Sequence, residues 1–388
     1  MDDNDLLEIE AFLCSFLRSE NPSWPHDTAH TFAANLTLCA RYHGVLPLMH
    51  DKLQRENEYA QSWPQEVLQT CRNDAIEFTM WELRHQDFLK QILSELALNG
   101  IQPVLFKGTA LAYSFYPSGT LRSRGDTDLI IPPNALAQFT AILAALGFNR
   151  VAGMVGELVT YQANFDRQEP GSGEHSLDVH WRINNSELLS RLFTYQELHQ
   201  RAQPLPGLSS DAIAAGLVDA LLIACMHRAT HKQNPYYVDG VAYYGGDRLI
   251  WLYDIHLLLG KMSLSQLDEF VARATEKGLR SVCLEGIERA SGCFHTQVKD
   301  EIMLALNHSG PQEPVARYLN GSHLLRTWMD FKALGNVYKQ LQFLKETVFP
   351  PESYMRSKNP DASFSSLPWL YLHRAVGGIR KRLQMWAR

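Results

Sequence analysis

The stretch Lys107-Gly-Thr-Ala-Leu-Ala-Tyr-Ser-Phe-Tyr-Pro-Ser-Gly-Thr-Leu-Arg-Ser-Arg-Gly-Asp-Thr-Asp-Leu-Ile-Ile131 decides the reading of this chain. It puts Asp126 and Asp128 two residues apart at the head of the apolar run Leu129-Ile130-Ile131, and Pro132-Pro133 ends the run. A β-strand alternates its side chains, so the two carboxylates share one face. Like charges that close repel and raise each other's pKa unless a cation sits between them. Such a pair is a natural place for a hard divalent cation.

A second strand carries a third carboxylate. In Glu174-His-Ser-Leu-Asp-Val-His-Trp181, alternation puts Ser176, Asp178 and His180 on one face and Leu177, Val179 and Trp181 on the other. If this strand lies beside the first, Asp178 completes a three-aspartate cluster. Such a cluster suits two magnesium or manganese ions that clamp a nucleotide's phosphates and activate an attacking oxygen. By itself an Asp-x-Asp pair is more often a turn or a solvated edge. His180 shares the metal face, either to orient an acceptor or to fix a carboxylate.

In order and spacing, these residues resemble the uncharacterised bacterial nucleotidyltransferases of the DNA polymerase β-like superfamily. The resemblance rests on Lys107-Gly108, Tyr116-Pro117, the run Arg122 to Ile130, and Asp178-Val-His-Trp181. Tyr42-His-Gly-Val-Leu-Pro-Leu-Met49 is similar to the family's amino-terminal signature. His227-Arg-Ala-Thr-His231 with Arg248-Leu-Ile-Trp-Leu-Tyr-Asp254 is similar to its carboxy-terminal one. The likeness spans about Cys39 to Leu259. It implies that Asp126 and Asp128 are the paired metal-binding acids. It also implies that Asp178 is the third acid, which helps deprotonate an acceptor hydroxyl. The implied reaction is metal-dependent transfer of a nucleoside monophosphate from a nucleoside triphosphate to an acceptor hydroxyl on a small molecule, a peptide or protein, or an RNA. The alternative is a nucleotide-binding regulatory protein that keeps the fold without catalysis. Two departures stand out. Lys107-Gly108 replaces the usual Gly-Ser or Gly-Gly phosphate loop, and Thr127 replaces isoleucine on the face away from the acids.

Other candidates surround this core. Arg122 and Arg124 precede the acids and offer forked donors to a triphosphate or to a carboxylate. Lys107 and Gly108 sit at a strand-to-helix turn where backbone amides can hold phosphate, and the Lys107 side chain is left to contact phosphate, to contact the acceptor or to pair with an aspartate. His227 and His231 are four residues apart on one helix face, a spacing that binds zinc when a third ligand converges. Arg228 stands where a metalloprotease motif has glutamate, so the expectation is a structural pair, hydrogen-bonded to Asp254.

Composition narrows the class. The 388 residues are 45% hydrophobic and 20% charged, ordinary for a globular protein of two or three domains. No apolar run approaches a membrane span, and the acidic start Met1-Asp-Asp-Asn-Asp5 argues against a targeting leader, so a cytoplasmic location is expected. The six scattered cysteines read as reduced core thiols. A net charge of -6 argues against generic nucleic-acid binding. The basic segment Arg374 to Arg388 reads as a solvated helix.

The periodicities give an α+β chain: a helical region over 1–100, a small mixed-sheet nucleotidyltransferase core over 101–205 and a helical region over 206–388. Helices are expected at Leu6 to Leu17, Ala29 to Tyr42, Leu46 to about Glu58 and Pro64 to Leu98. Strands are expected at Gln102 to Phe106, Asp126 to Ile131, Glu157 to Phe165 and Glu174 to Trp181. A helix from Asn134 to Leu146 has Asn134 as its cap. Residues 166–173 read as a turn, 233–246 as a mobile loop over the site, and 361–368 as a loop.

Overall fold

The computed structural model describes the chain apart from residues 1–2, 26–28, 154–155, 234–235, 239–240, 244–245, 308–311, 360–365 and 387–388. The fold is α+β. Five helices lead in: α1 (Asp3–Leu17), α2 (Ala29–His43), α3 (Leu46–Arg55), the single turn α4 (Asn57–Ala60) and α5 (Gln65–Leu98). Helix α5 runs 34 residues because no proline or glycine interrupts it, and Gly100, in the left-handed region at φ +71°, lets the chain turn away.

The central sheet follows. Strand β1 (Val104–Phe106) leads into α6 (Lys107–Phe115), and β2 (Asp126–Ile130) leads into α7 (Leu136–Ala145). Next come β3 (Asn149–Arg150), β4 (Gln162–Glu169) and β5 (Gly173–His180). Two single-turn helices, α8 (Glu187–Ser190) and α9 (Tyr195–Gln200), precede β6 (Gln203–Pro204) and β7 (Ile213–Ala214). The seven strands lie in the order β3-β4-β5-β2-β1-β7-β6. Strand β2 runs parallel to β5 and antiparallel to β1.

Alternation along the strands builds two cores. Leu105, Leu129, Ile131, Leu177, Val179 and Phe165 face α5 and α7. Val104, Phe106 and Ile130 face the opposite way, into a larger core shared with the first helices and with α10 (Leu217–His231), α11 (Leu249–Lys261) and α13 (Arg280–Phe294). Each such leucine, valine or phenylalanine contributes roughly 1.5–3 kcal/mol by leaving water. Helix α12 (Leu264–Lys277) shows why its ends fall where they do. Ser263 and Gln266 form a reciprocal capping box, and Gly278 at φ +63° ends the helix. The remaining helices are α14 (Asp300–Leu306), α15 (Pro314–Leu319), α16 (His323–Ala333), α17 (Val337–Val348), α18 (Glu352–Ser357) and α19 (Leu367–Trp386).

Several local expectations shift. The strand expected at 157–165 begins instead at Gln162 and runs on to Glu169, so only a tight turn separates it from β5. Asn134 does not cap α7; it lies in a 3-10 turn, Pro133–Ala135, and no side chain caps either element. The helix that periodicity places over Ala212 to Thr230 begins instead at Leu217, after residues 213–214 form β7. Within 233–246 two strands pair antiparallel, β8 (Tyr236–Val238) with β9 (Val241–Tyr243), and residues 234–235, 239–240 and 244–245 of that expected loop lie outside the described residues. Of the loop expected at 361–368, residues 361–365 also lie outside them, and α19 starts at Leu367. All six cysteines are buried free thiols. Among the described residues no helix is long and apolar enough to cross a membrane.

Candidate active site

The site forms where β2 lies between β5 and β1. Asp128 is paired with Asp178, and Asp126 with Ser176, in the parallel register of β2 and β5. Phe106 of β1 is paired with Asp128, which delivers the next residue, Lys107, to the same place. Paired residues turn their side chains to one side of a sheet, so Asp126, Asp128, Asp178 and His180 share a face. One ligand atom from each of Asp128, Asp178 and His180 lies within 4.8 Å of the others. Among the described residues no other group of three histidine, cysteine or acidic side chains is gathered so closely.

Hydrogen bonds fix this cluster. Lys107 Nζ donates to Asp128 Oδ1 at 2.6 Å, and His180 Nε2 donates to the same oxygen at 3.2 Å. Asn164, opposite Asp178 on β4, donates to its Oδ1 at 2.6 Å. The Lys107 backbone is in the left-handed region at φ +57°, where a side chain costs about 1 kcal/mol or more and persists only if the surroundings demand it. Here the demand is the sharp turn from β1 into α6. Gly108 follows, where an added Cβ would come within 3.3 Å of the Arg124 side chain.

The electrostatics show a shortage of positive charge. Burial and then the Asp128 and Asp126 charges push Asp178 up to about 7. Burial and Asp128 push Asp126 up to about 6 against the pull of Lys107. Asp128 behaves oppositely: burial alone would raise it, but Lys107 and His180 together hold it well below the usual carboxylate range. Burial lowers Lys107, yet its aspartate neighbours, led by Asp128, leave it net raised and charged. Burial lowers His180, which keeps the ring neutral. One ammonium therefore serves three carboxyl groups.

The two arginines are engaged elsewhere. Arg122, 6% exposed, donates to both oxygens of Asp254 on α11, with contacts of 2.7–3.2 Å, and Tyr116 Oη donates to the same carboxylate at 2.7 Å. Arg124 is held by Glu82 of α5 at 2.6 Å, by Thr109 at 2.8 Å and by the Arg122 carbonyl at 3.2 Å. Both guanidiniums thus clamp the loop before β2 to helices on either side, the acid-pairing alternative of the sequence reading. Asp254, expected beside His227 and His231, is taken by Arg122. Those two rings lie 4.6 Å apart against Trp251, and burial lowers the pKa of both, His231 to about 4. Among the described residues no third ligand joins them.

Sequence reasoning missed what lies under Thr127. Its hydroxyl bonds His85 Nε2 at 2.8 Å and the Thr109 hydroxyl at 2.7 Å; His85 Nδ1 meets His175 Nδ1 at 3.2 Å. Thr109 accepts from Arg124 and also reaches the Asp126 carbonyl at 3.4 Å, and because only one of the two facing Nδ1 atoms can carry the proton, the two imidazoles must be complementary tautomers. The threonine in place of isoleucine is the one visible signal of this network.

Comparison with known proteins bears on the same residues. The family model of uncharacterised nucleotidyltransferases matches residues 33–295, which include every residue of the cluster. The chain belongs to that family. No match was found among curated proteins. The solution structure of the antibiotic-resistance factor ANT(2'')-Ia is similar at 13% identity with a TM-score of 0.33, covering 54% of this chain and 98% of that one.

Proposed function

We propose that this nucleotidyltransferase moves a nucleoside monophosphate from a nucleoside triphosphate to an acceptor hydroxyl, with Asp126, Asp128 and Asp178 holding the divalent cation, Mg2+ or Mn2+. The observation that carries this reading is the parallel pairing of Asp128 with Asp178, with Asp126 on the same face. The residues fit a cation on chemical grounds. The donors are hard carboxylate oxygens, and the raised pKa values of Asp126 and Asp178 mark repulsion that a cation relieves. When bound, the cation supplies Lewis-acid stabilisation of charge on the phosphoryl oxygens.

The chain's own groups do the rest. Asp178 accepts the proton of the acceptor hydroxyl as that oxygen attacks the α-phosphorus and the bond to the β-phosphate breaks, releasing pyrophosphate. His180 and Lys107 orient the Asp128 carboxylate. Lys107, on a flexible stem at the start of α6, can exchange Asp128 for a β- or γ-phosphate oxygen once the cation neutralises the aspartates.

The test is calorimetric binding of a non-hydrolysable ATP analogue with and without Mg2+. Binding should require the cation and weaken at least about ten-fold in Asp126→Asn, an acid that makes no ion pair with Lys107. With an acceptor in hand, transfer should fall on the order of 100-fold or more. Cation-independent binding that ignores Asp126 would refute the reading.

A further inference from the structure

Helix α17 is mounted with its polar side inward. Glu346 accepts from the backbone N–H groups of Glu157 and Leu158 at 3.2 and 3.0 Å, and Gln342 donates to Glu157 at 3.0 Å. The other side carries Val337, Leu341, Leu344 and Val348, exposed by 67%, 60%, 44% and 55%. Their spacing makes one continuous stripe along the helix. A surface helix normally turns such a stripe to the core; here it faces water, and no residue of the helix is buried.

The adjoining helices repeat the pattern. Leu324 and Trp328 are exposed on α16, and Trp369, Leu372 and Val376 on α19. Helix α19 is tied to α17 and the residues just after it: Arg374 donates to the Thr347 carbonyl at 3.2 Å, Tyr371 Oη to the Pro350 carbonyl at 2.8 Å, and the Phe349 and Tyr371 rings meet edge to face. Exposed apolar side chains are ordinarily scattered, so stripes on three adjoining helices mark a surface that something covers.

Charge says what. Residues 321–388 hold 11 lysines and arginines against 4 acids, a net charge of +7, whereas residues 1–320 hold 25 against 38, a net charge of -13. A second copy of the chain would set +7 against +7. A nucleic acid would take the charge and leave leucine and valine in water. An anionic bilayer takes both, lysine and arginine at its headgroups and aliphatic side chains just below, with Trp328, Tyr338 and Trp369 suited to the boundary. We propose that the C-terminal helices α16, α17 and α19 dock this protein on an anionic lipid surface, lying on it and not spanning it. The acidic remainder is repelled by the same surface, so the basic side is the one that lands.

The test is co-sedimentation of the full chain with vesicles of phosphatidylcholine alone and of phosphatidylcholine mixed with phosphatidylglycerol. Binding should favour the anionic vesicles and weaken as salt is raised. Leu341→Glu with Leu344→Glu, both at exposed positions, should lose at least about ten-fold in binding without lowering the melting temperature. Lys332→Glu, at the cation that lies over the Trp328 ring, with Lys345→Glu should weaken binding and flatten its salt response. The proposal is overturned by absence of binding to anionic vesicles, by equal binding to both lipids, or by a leucine variant that binds like the parent. It is equally overturned if light scattering finds a dimer that the leucine substitutions dissolve, or if an RNA binds in their place.

Discussion

Replacing Asp178 by asparagine should stabilise the cation-free protein, increasingly so as the pH rises. Burial, Asp128 and Asp126 raise the Asp178 carboxyl from 3.8 to about 7. A carboxyl whose folded pKa lies above its unfolded value favours folding while protonated and opposes it once ionised. Below pH 3.8 both states hold the proton and nothing is lost. Between there and about pH 7 stability falls by up to ~1.4 kcal/mol per pH unit, and above that the penalty is constant. The full shift corresponds to a ceiling of ~4 kcal/mol, and the side chain's partial contact with water reduces this to ~2–3 kcal/mol. Asparagine has no charge to lose, and its carbonyl still accepts from Asn164. A chain of 388 residues unfolds with an entropy on the order of 0.8 kcal/mol per kelvin, so the melting-temperature gap above pH 7 should be about 3–4 °C. The assay is thermal melting of both proteins in chelator from pH 5 to 8.5. The gap should widen up to about pH 7 and then level off, and saturating Mg2+ should close it by stabilising only the parent. A gap independent of pH, or an asparagine protein that melts lower at pH 8, would refute the charge-crowding account.

Three further outcomes follow from the same contacts. Lys107→Met leaves Asp128, 6% exposed, without its ammonium, so the cation-free protein should lose about 3–5 kcal/mol and melt several degrees lower; Mg2+ should recover much of this, while the analogue still binds more weakly. Breaking the Glu82–Arg124 pair, both side chains 2% exposed, by Arg124→Met should cost about 3–5 kcal/mol by denaturant unfolding, and adding Glu82→Gln should restore part of it. Thr127→Val removes the hydroxyl that His85 and Thr109 share, and should cost about 1–3 kcal/mol by the same measure with Mg2+-dependent analogue binding unchanged.

The sequence by itself placed Asp126 with Asp128, and Asp178 with His180, because the alternation of a strand is fixed by backbone geometry and needs no knowledge of neighbours. For the same reason the long helix over Gln65–Leu98 and the strands around Leu129 and Val179 were legible, since their patterns extend over several residues. Strands β3, β6 and β7 were not, because two residues have no period to read. The extension of β4 through Asp166-Arg-Gln-Glu169 is driven by its ladder with β5, which outweighs the polar composition that reads as a turn. Tertiary structure alone decided the parallel register that sets Asp128 against Asp178. It alone chose Asp254 and Glu82 as partners for Arg122 and Arg124, and Asp128 for Lys107. Helix α17 makes the point most sharply: its apolar stripe faces water, because Glu346 and Gln342 anchor its polar side to residues 157–158. A long cation or an amphipathic helix satisfies itself with whatever the distant chain brings near. Local sequence fixes which face a side chain takes, and only the packed fold fixes what that face meets.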